Sequence, residues 1–118
     1  MAQYDTHYTG GFDQLVRFID QAALSGSVSA SREGGSDMRC GDARCVTRVY
    51  ERYSYLGGNR LSLSVTVFGR DGDVYLSAVT AGGSQAMFFK LNTWGEEAFL
   101  DKFRGQIEAF LSGRQDAE

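Results

Sequence analysis

The sequence predicts an α+β fold of order β-α-β(4–5)-α, with one antiparallel sheet and two helices on one of its faces. Three observations carry this. Residues 61–67 alternate strictly, Leu61, Leu63, Val65 and Val67 against Ser62, Ser64 and Thr66, the period of a half-buried strand. Glycine-rich breaks separate the other β-like segments at short intervals. Two segments, one near each end of the chain, instead repeat apolar residues at helical spacing.

The elements follow in order. Tyr4, Thr6 and Tyr8 share one side of a short strand over residues 3–9, broken by Gly10-Gly11. Phe12, Leu15, Val16, Ile19, Ala22 and Ala23 then form a helical stripe, with Asp13 in the first turn, where it complements the helix dipole. Ser25-Gly26 is expected to end this helix, Gly26 taking the left-handed position after the cap. Val28 and Ala30 alternate with serines up to a turn at Glu33-Gly34-Gly35-Ser36, and Asp37 to Cys40 form a short strand closed by Gly41-Asp42. Arg44 to Tyr55 is the longest strand candidate, carrying Val46, Val49, Tyr50, Tyr53 and Tyr55. Gly57-Gly58-Asn59 turns it, since these residues accept positive φ.

After the alternating strand, Asp71-Gly72 marks a hairpin turn. Val74 to Ala81 returns, Gly82-Gly83-Ser84 turns again, and Gln85 to Lys90 is read as a last strand. Thr93-Trp94-Gly95-Glu96 has the form of a capping box. The helix it opens places Phe99, Phe103, Ile107, Phe110 and Leu111 on one stripe. Gly105, with Ala98 and Ala109, makes a strip of small residues against which close packing is expected. Gly113 is read as the end of the helix, so the single domain spans residues 1–113 and 114–118 form a frayed tail. Traced through these strand directions, the four glycine doublets (10–11, 34–35, 57–58 and 82–83) fall on one rim. The first two change rim if residues 36–40 are not a separate strand.

At 118 residues the chain is one domain, able to bury roughly two thirds of its unfolded surface. Proline is absent and no apolar run approaches a membrane span. The N-terminus lacks the pattern of a signal peptide, so the expected compartment is the cytoplasm. Net charge is −3, yet residues 32–70 hold seven arginines against four acids. A chain that is acidic as a whole is not an obvious nucleic-acid protein.

Few residues are arranged for chemistry. His7 is the only histidine and has no partner nearby in sequence. Cys40 and Cys45 flank a tight hairpin, but a zinc site wants four ligands. The serines at 62, 64 and 77 read as a polar sheet face rather than as nucleophiles, which need an adjacent base. No catalytic residue, metal or cofactor is therefore called for, and the balance leans away from an enzyme. Arg44, Arg48 and Arg52 form a row with Tyr50 on one side of the long strand, a pattern able to meet nucleic acid by charge and stacking. Met87, Phe88, Phe89, Trp94, Phe99, Phe103 and Phe110 are read as core or as the lining of a cavity.

Two stretches carry a resemblance. Val49-Tyr50-Glu51-Arg52-Tyr53-Ser54-Tyr55-Leu56-Gly57-Gly58-Asn59-Arg60 is one. Gly82-Gly83-Ser84-Gln85-Ala86-Met87-Phe88-Phe89-Lys90, running on to Asn92-Thr93 and Gly95-Glu96-Glu97, is the other. The chain resembles an uncharacterised family of small single-domain bacterial proteins, a domain of unknown function. The resemblance implies a bacterial, stand-alone protein and brings no activity or cofactor with it. The element order also looks like the TATA-binding-protein-like and helix-grip folds, a likeness from which no function follows.

Three expectations result. The first is a non-enzymatic binding or assembly module that forms a homo-oligomer through the Ser/Thr face of the sheet, burying at least about 1,000 Å². The second is a carrier of a small apolar ligand held between the sheet and residues 94–111. The third, least expected, is nucleic-acid binding through Arg44, Arg48, Arg52 and Tyr50. Gly82, Gly83, Ser84, Gln85, Phe88 and Trp94 are the candidate contacts for a ligand or partner.

Overall fold

Alternation in the sequence becomes a five-stranded antiparallel sheet, and the two apolar stripes become the helices that cover one side of it. A computed structural model describes residues 2–25, 29–53, 60–82 and 89–116, with side chains in the last helix described for residues 97–113. The order is β1 (Ala2–Thr9), α1 (Phe12–Leu24), β2 (Ser31–Cys40), β3 (Ala43–Tyr53), β4 (Arg60–Arg70), β5 (Asp73–Gly82) and α2 (Phe89–Asp116). The strands lie side by side as β1-β5-β4-β3-β2. The last four form a meander, and β1 adds beyond β5. Over β2–β4 lies α1, and α2 lies over β1, β5 and β4.

The core sits between this sheet and the helices. Leu61, Leu63, Val65 and Val67 from β4 meet Val74, Leu76 and Ala78 from β5, Tyr4 and Tyr8 from β1, and Tyr50 from β3. Leu15, Ile19, Ala22 and Ala23 of α1 and Phe99, Phe103, Ile107 and Leu111 of α2 close it from the other side. Phe18 and Phe110 stack across the two helices, their ring centroids 4.6 Å apart. Strands β1, β3, β4 and β5 therefore present buried residues to the helices and their alternate residues to the outside, and the edge strand β2 adds nothing to the core.

The first hairpin departs from the sequence reading. Gly34-Gly35 is not a turn, and residues 31–40 form one continuous strand. The register slips between Arg32 and Gly34, a bulge at Glu33, and Gly35 then crosses the backbone of β3. A side chain there would collide with the carbonyl oxygen of Thr47 and come within 3.2 Å of Arg48 Cδ. The glycine serves a close approach of two strands rather than a reversal.

With that strand undivided, the doublets do not share a rim. Gly10 lies beside the Asp71-Gly72 turn, its amide donating to the Gly72 carbonyl at 3.2 Å, and the Gly41-Asp42 turn is at the same end. Gly82, opposite Leu61, is at the other end. Gly57-Gly58 and Gly83 lie outside the described residues, as does Gly26.

The last helix differs as well. It begins at Phe89, so Phe89 and Lys90 are helical rather than in a strand, and Thr93–Glu96 fall inside the helix rather than at its cap. It continues past Gly113 to Asp116. Among the described residues nothing packs at Gly105, which is exposed like Ala98 and Ala109. These three lie away from the stripe that faces the sheet.

Candidate functional site

The outer face of the sheet is the surface that the helices leave uncovered. Strand period assigns to it Cys45, Thr47 and Val49 of β3, Ser62, Ser64, Thr66 and Phe68 of β4, and Tyr75, Ser77, Val79 and Ala81 of β5. None of these central positions is charged. The registers align one row across all five strands, Met38–Cys45–Phe68–Tyr75–His7. Within it Met38, Phe68 and Tyr75 are 56%, 45% and 53% exposed. The neighbouring row, Ser36–Thr47–Thr66–Ser77–Asp5, is hydroxylic. The Ser36 amide donates to Thr47 Oγ1 at 3.1 Å, and hydrogen bonding to Ser77 and Gln3 holds the Asp5 carboxyl below its usual range.

His7 closes the aromatic row. Its ring lies 4.4 Å from that of Tyr75, and its Nε2 is 3.4 Å from Asp73 Oδ1. Both partners are far away in sequence and only the β1–β5 register brings them together. Cys45 is three strands from His7, about 14 Å at the usual strand spacing, so the two form no nucleophile–base pair. Cys40 and Cys45 are free thiols. Cys40 pairs with Ala43 and Cys45 with Met38, which places the cysteines diagonally on the outer face.

The arginine row is placed differently from the pattern's first suggestion. Arg44, Arg48 and Arg52 do share a side with Val46 and Tyr50, but it is the helix side. Tyr50 is fully buried and its hydroxyl donates to Asp20, which also accepts from Arg32 at 3.1 Å. Burial, and then the Asp20 carboxylate, push the Tyr50 phenol well above its ordinary range. Its ring is unavailable for stacking on a base. Arg44 is gripped by Asp37 and Asp13 and lies 4.6 Å over the Phe12 ring. These hydrogen bonds raise the Arg44 pKa and lower those of both aspartates. Arg48 Nη1 donates to the Thr47 carbonyl at 2.9 Å, and Arg52 lies 4.4 Å over Phe99. Arg44 and Arg52 thus tie helices to strands, and Arg48 bonds within the first hairpin.

Two further places were candidates. The rim near Gly10, Gly41 and Gly72 holds a cavity of about 250 Å³. Arg44 and Arg70 are already paired, Arg70 Nε lying 3.4 Å from Asp42 and 3.6 Å from Asp71, and Arg39, Arg44 and Arg70 face Asp42, Asp71 and Asp73 in the lining, so the glycine amides meet a charge-balanced site. Beside α2, the concavity lined by Ala22, Ala23, Ser25, Arg52, Phe99, Lys102 and Phe103 has no volume for a water molecule. Of the candidate contacts, Gly82 ends β5. Gly83, Ser84, Gln85 and Phe88 lie outside the described residues, as does the side chain of Trp94.

The row of exposed side chains was legible only in part. Residue 68 continues the alternation of β4, so its outward direction could be read. That Phe68 faces Tyr75 and Cys45 depends on registers that turn lengths set. No helix among the described residues is long and apolar enough to cross a membrane. No curated protein matches the chain. The model of a family of unknown function, DUF6054, matches residues 1–111, nearly the whole chain, and the protein belongs to that family.

Proposed function

We propose that this protein is an assembly module that self-associates through the outer face of its sheet, a second copy docking face to face. The carrying observation is the uncharged centre of that face, bordered by the exposed Met38–Phe68–Tyr75 row. Interface cores are depleted in charge and enriched in Tyr, Phe and Met. A solvated antiparallel face is ordinarily polar, its apolar residues turned to the core, and an exposed Met–Phe–Tyr row departs from that.

Size supports the same reading. Five strands about 4.8 Å apart and about nine residues long present roughly 700 Å². A standard interface takes about 800 Å² from each partner. The small Ser, Thr and Ala side chains make the centre flat, so a copy related by a two-fold axis meets it without interlocking shapes. Asp5, Asp73, Arg70 and Glu51 lie at the margins of the face, where a polar rim belongs.

Sedimentation equilibrium tests the reading. The expected result is a dimer at micromolar concentration, turned into a monomer by Thr66→Arg, which puts a charge in the centre without touching the core. The substitution leaves the far-UV circular dichroism unchanged. A wild-type monomer at about 100 µM, well above the working range of a specific dimer, would sink the proposal. So would a dimer that tolerates Thr66→Arg.

A further inference from the structure

We propose that Met38, Cys40 and Cys45 form a binding site for a soft monovalent cation, Cu(I) by chemical class. The argument starts from register. Met38 and Cys40 are two residues apart on β2 and so leave the same face of the sheet. Met38 pairs with Cys45, and Cys40 with Ala43, two residues before Cys45. All three sulfurs therefore emerge at the turn end of the first hairpin, on its outer face.

Separation favours a bridging ion over a disulfide. Directly opposed Cβ atoms lie about 4.5–5.5 Å apart and diagonal ones up to about 7–8 Å. A disulfide needs Cβ atoms about 3.5–4.5 Å apart, closer than a diagonal pair ordinarily stands. Two metal–thiolate bonds of about 2.3 Å place their sulfurs up to about 4.6 Å apart. A diagonal pair reaches that span by turning χ1 alone. Met38, opposite Cys45, can then supply a thioether as the third donor.

Donor chemistry selects the ion. Among the described residues no three His, Cys, Asp or Glu side chains converge, so the hairpin lacks the fourfold set that a structural zinc site takes. Thiolate and thioether donors are soft and favour Cu(I), which is stable with two or three ligands. On binding, the two thiols release two protons and the Cu(I) dithiolate carries one negative charge. Phe68, paired with Cys45 on the next strand, supplies an apolar flank. Cys40 is exposed and Met38 is 56% exposed, so the ion has open access. Methionine is otherwise a core residue, and packing within the chain gives no reason for one here.

The site is complete within one chain and does not depend on self-association. Reduced protein is titrated anaerobically with Cu(I) held by bicinchoninate, whose colour reports transfer. The expected result is one Cu(I) withdrawn per chain. Cys40→Ser and Cys45→Ser should each weaken binding by more than about 100-fold, and Met38→Leu by about tenfold. None of the three side chains belongs to the buried core, Cys45 being half-buried on the outer face, so circular dichroism should show the variants folded. Failure of the wild type to compete with bicinchoninate overturns the proposal, as does wild-type affinity in either serine variant. Binding of Zn(II) in preference to Cu(I) overturns the choice of ion. Sedimentation of the same samples reports the oligomer independently.

Discussion

A β-carbon on Gly69 would overlap the ring of Phe12, coming within 2.8 Å of its Cε2. The first residue of α1 is thereby seated on β4, and Arg44, which pairs with Gly69, lies over the same ring. Gly69→Ala should force the ring, and the guanidinium above it, to move. Overpacking of this kind costs about 1–3 kcal/mol. Urea denaturation should show the lowered midpoint, and Phe12→Leu in the same chain should recover part of it. An unchanged midpoint would mean that the ring yields freely.

The two glycines of β2 should behave oppositely. A side chain at Gly34 meets nothing within 4 Å, and one at Gly35 meets the Thr47 carbonyl. Neither has positive φ. Gly34→Ala should be neutral or stabilise by up to about 1 kcal/mol, through lost freedom of the unfolded chain. Gly35→Ala should destabilise. Thermal unfolding of the pair gives the comparison, and equal shifts in the same direction would contradict it.

Tyr50→Phe removes the hydroxyl that Asp20 accepts while leaving the ring in the core. A hydrogen bond to a charged acceptor is worth about 1.5–3 kcal/mol, and Asp20, partly exposed, recovers some of this from water. The expected loss is about 1–2 kcal/mol. Arg32→Ala, which removes the exposed partner of Asp20, should cost less.

Acid should loosen the attachment of α1 to the first hairpin. Arg44 holds the folded-state pKa values of Asp13 and Asp37 below their ordinary range. Folding then binds fewer protons than unfolding, so this stability is present above the unfolded aspartate pKa of about 3.9 and is lost as pH falls through the depressed folded values. Arg44→Met keeps the stem over Phe12 and removes the charge. Its stability should depend less steeply on pH below about 4. Parallel curves for the two proteins would contradict the assignment.

Asp71 should show the opposite sign. Its side chain shares a hydrogen bond with Asp42, and that bond and the neighbouring charge raise its pKa. The stabilising form is the protonated one, and it is lost as pH rises through the folded value. Asp71 also holds φ at +55°, a conformation that asparagine accepts readily. Asp71→Asn should therefore raise the thermal midpoint slightly at neutral pH, with the gain shrinking in acid.

These effects also mark what a sequence can disclose. The alternation of residues 61–67 was readable because one face of β4 is buried and the other is not. The same alternation grouped Arg44, Arg48 and Arg52 but did not by itself say which way they point. Val46 and Tyr50, in the same register, were the signal for the core side. Gly34-Gly35 misled because glycine serves tight turns and close backbone approach alike. The partner that decides between them, Thr47, comes from another strand. His7 found Asp73 and Tyr75 through a register that no local pattern contains. The exposed row was legible residue by residue and became a surface only once the strands were ordered.

The position of β1 has a consequence in time. Strands β2 to β5 pair with neighbours in the chain, but Tyr4 pairs with Ala78 and Ala2 with Thr80. Loop closure of that length carries an entropic cost that the hairpins avoid. The meander can assemble first, and β1, though made before it, is the last of these five strands to find its place. Until β5 has left the ribosome, Tyr4 and Tyr8 lack the strand that pairs with them, and two aromatic side chains of the growing chain stay open to water.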